Sequence, residues 1–204
     1  MSDEATPCSA ATLARVSAES AEEVCSRFQL SELAQHLISH RHKKTPCVFL
    51  DELLDRALYV DAIDFLAHGL HARDAVWWGC LSARHVQGVK LDDQEGAALF
   101  TAGAWVIEQT GEARAQAKNA AKELGGHTPV GMIARAAAHA GKGDALAAAL
   151  AVSAALKTLA SADGAQPNET VLRKVLVIGL GIAEGEHSWD VRKKKKKKKN
   201  RHRA

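Results

Sequence analysis

The chain has 204 residues, 47% hydrophobic and 25% charged, which is the balance of a soluble globular protein long enough for one domain with a substantial core. No stretch reaches the roughly 18 unbroken apolar residues a membrane span needs, and the acidic, polar start Met1 to Pro7 lacks the features of a secretory signal, so a cytoplasmic setting is expected. The net charge of +3 hides a division: ten of the 27 Lys and Arg fall after Val191, which leaves 17 against 24 Asp and Glu, a body of −7 with a polycationic tail.

Residues 1–19 are expected to be a flexible segment, 20–189 a helical domain and 190–204 a disordered polybasic tail. Within the domain, 21–28 and 31–38 read as short helices, the second opened by Ser31 as an N-cap. A basic loop, 39–44, follows. Thr45 and Pro46 supply a cap and a proline at the first helical position, predicting a helix to Leu58 with Val48, Leu50, Leu53, Leu54 and Leu58 as its apolar set. The pattern over 60–70 places Ile63, Leu66, Ala67 and Leu70 on one face.

Helices are then predicted over 73–87 and over 92–108, where Asp92 and Asp93 suit a helix N-terminus. A polar, Ala-rich helix over 111–124 stops at the Gly125–Gly126 pair. Thr128 and Pro129 repeat the Thr-Pro start and open a helix to about Ala140. Gly141 and Gly143 break the chain before an Ala/Leu helix over 144–160, and the last helix runs over 169–184. The prediction is all-α, an irregular bundle or a short solenoid-like array of about eight to ten helices. Asp61-Ala62-Ile63 recurs as Asp74-Ala75-Val76, but no longer repeat continues.

Apparent chemical motifs resolve into structural ones. Val175 to Gly181, running on to Gly185, imitates a strand entering a dinucleotide loop, yet too little chain follows for the second strand such a fold requires. Close helix packing is the better reading of Gly179 and Gly181. His36, His40 and His42 have helical metal-ligand spacing, but no Glu follows His36 and Lys43 and Lys44 add repelling charge, so a solvated loop is preferred. No catalytic constellation is legible, and neither an enzyme, a cofactor nor a metal is expected. Cys8, Cys25, Cys47 and Cys80 form no C-x-x-C pair and read as free buried thiols.

The most specific block is Arg73 to Arg84, with adjacent Trp77 and Trp78. Adjacent side chains on a helix point about 100° apart. Val76, Trp77, Cys80 and Leu81 make the apolar face, and Asp74, Trp78, Ser82 and His85 a partly polar stripe. That stripe reads either as the margin of a wide core face or as a groove that docks a partner. It is the candidate binding site of the body.

At this block the chain resembles an uncharacterised bacterial family of helical proteins, over about residues 20 to 187. The resemblance rests on Ala21 to Phe28, on Phe49 to Leu54 leading to Asp61 to His68, and on the Arg-x-Ala-Val-Trp-Trp-x-Cys block at Arg73 to Cys80, with Leu180 to Gly185 at the end. It implies an all-helical fold and no reaction, and it suggests an accessory or adaptor role beside bacterial secretion machinery. The tail departs from the family pattern.

The tail places Arg192, Lys193, Lys194, Lys195, Lys196, Lys197, Lys198, Lys199, Arg201 and Arg203 together, ten like charges with no apolar content. Such a segment binds nucleic acid or polyphosphate by counterion release, without sequence readout because no aromatic interleaves the lysines. The functional expectation is a non-catalytic protein-interaction module with an adhesive tail, the alternative being polyanion binding through the tail itself.

Overall fold

The computed structural model describes residues 13–38, 43–88, 91–161, 166–187 and 189. Among them are ten helices: α1 Ala21–Cys25, α2 Glu32–Gln35, α3 Pro46–Asp55, α4 Tyr59–Gly69, α5 Ala72–Gln87, α6 Asp93–Glu108, α7 Gly111–Glu123, α8 Pro129–Ala140, α9 Ala145–Ala160 and α10 Glu169–Ala183. The only β pairing among the described residues is an isolated bridge between Val16 and Leu70.

Local chemistry sets the helix starts. Ser31, Thr45, Asp92 and Thr128 each accept a hydrogen bond from the backbone N–H three residues on, satisfying a donor the helix leaves unpaired. Pro46 and Pro129 occupy first turns, where no donor is lost. Gly125, at φ +73, ends the α7 segment in a conformation that a side chain would resist.

The bundle is built around α4 and α5. Helix α9 lies against α4, α5 and α8, and α10 against α4, α5 and α9. These contacts join elements far apart in sequence, whereas a solenoid repeat touches only its neighbours. The arrangement is therefore an irregular bundle. Small side chains allow the close approach: Ala148, Val152, Ala155 and Leu156 of α9 are all fully buried, as are Ala134, Ala136 and Ala137 of α8.

Three expectations are corrected. Residues 13–19 are not a free segment, because Leu13 is buried, Arg15 N–H donates to Ala183 O and Ser17 N–H to Gly69 O. Helices α1 and α2 are single turns rather than eight-residue helices. On α3 the core face is Phe49, Leu50 and Leu53, with Val48 49% exposed, so the apolar stripe is rotated from the one the sequence suggested.

The recurring Asp-Ala-Ile and Asp-Ala-Val segments are structurally equivalent. Asp61 and Asp74 are each the third residue of their helix, buried, and aimed at a segment outside the helical pair. The Asp61 carboxylate accepts from Ser31 N–H at 2.8 Å and from Ser31 Oγ at 2.9 Å, which docks α2 onto α4. Both carboxylates also sit where the helix dipole favours negative charge.

Candidate interaction surface

The stripe of Asp74, Trp78, Ser82 and His85 does not form a groove. Trp78 and Ser82 have no exposed surface, Asp74 is 5% exposed, and of the four only His85 reaches solvent. Helix α5 is covered by α6, α8, α9 and α10, so most of both stripes is buried, Trp77 and Leu81 of the apolar stripe being half-buried and the partly polar stripe lying deeper except at His85. Trp78 Nε1–H donates to Val175 O of α10 at 2.8 Å. A Cβ built on Gly179 would lie 2.6 Å from Trp78 Cε2, so that glycine is the notch that admits the indole. Gly181 likewise leaves room for the His187 ring. Both glycines lie within a helix and serve packing, which disposes of the nucleotide-loop resemblance.

Trp77 and Asp74 instead hold down the chain after α10. Trp77 Nε1–H donates to His187 O at 3.0 Å, and Trp189 Nε1–H to Asp74 Oδ1 at 3.0 Å. Arg15 reaches the same carboxylate at 3.4 Å, and the Arg73 guanidinium lies 3.2 Å from the centre of the Trp189 ring. Of the polar groups that suggested a wet groove, Asp74 is thus part of a clamp, whereas Ser82 Oγ is buried with no hydrogen-bond partner among the described residues and His85 is exposed. The candidate polyanion-binding residues, Arg192 to Arg203, lie outside the described residues, as do His40, His42 and Cys8.

The surface that stands out is on α6. Phe100 is 76% exposed and Ile107 58% exposed. Helical geometry puts Gly96, Phe100, Gly103 and Ile107 on one stripe, with Ala97 and Ala104 beside it. A Cβ added to Gly96 or Gly103 would meet nothing within 4 Å. Helix-interior glycines cost about 1 kcal/mol each against alanine, and here no close contact within the chain offsets that cost. The opposite face, through Ala98, Ala102, Trp105 and Val106, is buried. Arg73 donates to the carbonyls of Val106 and Ile107, fixing the C-terminal end of α6 to α5. The helix carries no basic residue, and of its acidic ones Asp93 and Glu108 lie beside the apolar stripe, so both ends of that face are bordered by acid.

A family model described as a family of unknown function, DUF6931, matches residues 49–183, which is 135 of the 204 residues. The chain belongs to DUF6931. No curated protein and no solved structure matches it. The DUF6931 span runs from within α3 to the end of α10 and so contains the Trp77–Trp78 block and the α6 face. It leaves out Ala21 to Phe28, the first of the segments that carried the sequence resemblance, and everything after Ala183.

Other chemistry in the DUF6931 chain is subdued. Burial pushes the free thiols of Cys25 and Cys80 up to about 12, with the charges of Glu22 and Asp61 adding to the effect on Cys25, so neither is a nucleophile at neutral pH. Cys47 is disulfide-bonded, which corrects the expectation of free thiols throughout. Among the described residues no group of three or more His, Cys, Asp or Glu is arranged to hold a metal, and no helix is long and apolar enough to cross a membrane. Sequence reasoning missed Phe100. The available signal was a large aromatic between two glycines at helical spacing, in a helix without cations.

Proposed function

We propose that this DUF6931 chain is a non-catalytic adaptor that docks an amphipathic helix of another protein onto the exposed face of α6. The observation that carries the reading is Phe100, three-quarters exposed between two glycines that face open space. Aromatics in well-packed centres dominate interface energetics, and glycine lets a second backbone approach closely. The acid at both ends of the face favours a partner whose apolar stripe is flanked by Lys or Arg. It disfavours a second copy of the same face, since α6 against α6 would oppose acidic groups in either orientation. An accessory role beside bacterial secretion machinery, suggested by the family resemblance, fits a protein whose business is docking.

Burying a phenylalanine side chain contributes about 2 kcal/mol, so Phe100→Asp should weaken capture of the partner more than tenfold while leaving the melting temperature unchanged. The capture is run at high salt with nuclease, using the full chain, Phe100→Asp and a form ending at Val191. Partner retained by the first and third and lost by the second supports the proposal. Retention by Phe100→Asp contradicts it, and a concentration-dependent dimer broken by Phe100→Asp would replace it with self-association.

A second reading rests on the ten positive charges after Val191. It makes the tail a sequence-blind polyanion binder, whose affinity falls steeply with salt. Truncation after Val191 should abolish binding to heparin or duplex DNA, and unchanged affinity would end that reading.

A further inference from the structure

The second cationic feature of this chain is in the body. Residues 111–142 contain five Lys and Arg against two Glu, a reversal of the acidic balance elsewhere in the body. Helices α7 and α8 form an antiparallel hairpin across the Gly125–Gly126 turn, and a cavity of about 350 Å³ opens along it. Lys118 and Lys122 line the cavity from α7, and Arg135, His139 and Lys142 from α8 or just after it. Its remaining lining is alanine and glycine, with no carboxylate.

Five cations elsewhere are paired: Arg15 with Asp74, Arg27 with Glu23, Lys44 with Glu52, Lys157 with Asp64 and Arg173 with Glu169. No ion pair joins Lys118, Lys122, Arg135 or Lys142 to any described residue. His139 Nδ1 lies 3.6 Å from the Asp144 carboxylate at the edge of the site. Lys118 and Lys122 are one turn apart, a spacing at which like charges repel. The arrangement therefore costs stability in the free protein, as binding sites commonly do.

We propose that this cavity binds a condensed phosphate group, of the kind carried by inorganic triphosphate or by a nucleoside triphosphate. Arg135 and Lys142, seven residues apart, extend the cationic run over about 10 Å, longer than one phosphate can meet. Arginine supplies the planar fork that matches phosphate oxygens, and the lysines supply point charges. No Phe, Tyr or Trp lines the cavity, so recognition rests chiefly on the phosphates rather than on a stacked base.

The test is calorimetric titration of the full chain with inorganic triphosphate and, separately, with ATP. Three proteins are compared: the native sequence, Lys122→Gln/Arg135→Gln, and a form with Lys193 to Lys199 changed to Gln. Charge-assisted bonds of this type are each worth roughly tenfold in affinity, so the double variant should bind at least tenfold more weakly, with the tail variant retaining a one-to-one site. Thermal melts of the free proteins keep the comparison interpretable, since the double variant should melt at or above the native temperature. Equal affinities for triphosphate and ATP assign the site to the phosphate chain alone, and tighter ATP binding assigns it to a nucleotide. Affinity unchanged in the double variant, or lost only in the tail variant, overturns the proposal.

Discussion

Trp78 and Gly179 are a matched pair, and each explains the other. The indole fills the space that a side chain on α10 would take, and its N–H satisfies a buried carbonyl of the same helix. Trp78→Ala should cost about 3–5 kcal/mol and Gly179→Ala about 1–3 kcal/mol, the second by overpacking, both read from denaturant melts. A small loss on Trp78→Ala would mean that the side chain is not in the core. His68 makes a different prediction. Its ring is 3% exposed, stacks on Phe28 and holds Asp64 O through Nδ1, while Nε2 has no partner. Burial first of all, with Lys157 and Arg27 adding, holds its pKa below the usual 6.5, against the opposing pull of Asp64. The unfolded chain then binds a proton that the folded chain refuses, so stability should fall as pH drops below 6.5. His68→Phe keeps the ring stack and should flatten that part of the stability profile; an unchanged profile would show that His68 does not titrate on unfolding.

At the scale of elements, the sequence was most informative where local chemistry decides. The Thr-Pro starts, the aspartate cap of α6 and the Gly-Gly stop after α7 each correspond to an observed helix end, because caps and breakers act within four residues. The α5 stripe was misjudged for a physical reason. Asp74, Ser82 and His85 are polar, but Asp74 is consumed by Arg15 and Trp189, contacts 59 and 115 residues away that no helical wheel contains. Phe100 was passed over because the apolar pattern of α6 cannot say which side the rest of the chain will cover. The glycines of that helix separate the two roles. Gly103→Ala should stabilise the isolated protein by up to about 1 kcal/mol, since nothing stands where the methyl group would go, while weakening partner binding. Loss of stability in Gly103→Ala would place a contact against that face.

Across the whole molecule, charge is sorted more sharply than the net value of +3 suggests. The tail and the α7–α8 hairpin are positive, and α6 carries acidic residues alone. Segregation of this kind governs which partners approach and at what rate more than it governs the fold. The clamp of Trp77, Asp74 and Arg73 on His187 and Trp189 ties the chain after α10 to the first turns of α5. Little of this was legible beforehand: composition showed the tail, whereas the clamp and the cationic cavity depend on which helices become neighbours. The measurement that bears most directly on the docking account is photo-crosslinking in the native cell, with a benzophenone amino acid in place of Phe100 and, as a control, in place of Val177, an exposed residue on α10. A discrete protein adduct at position 100 and none at 177 is the expected result; no adduct at 100, or the same adducts at both positions, would contradict it.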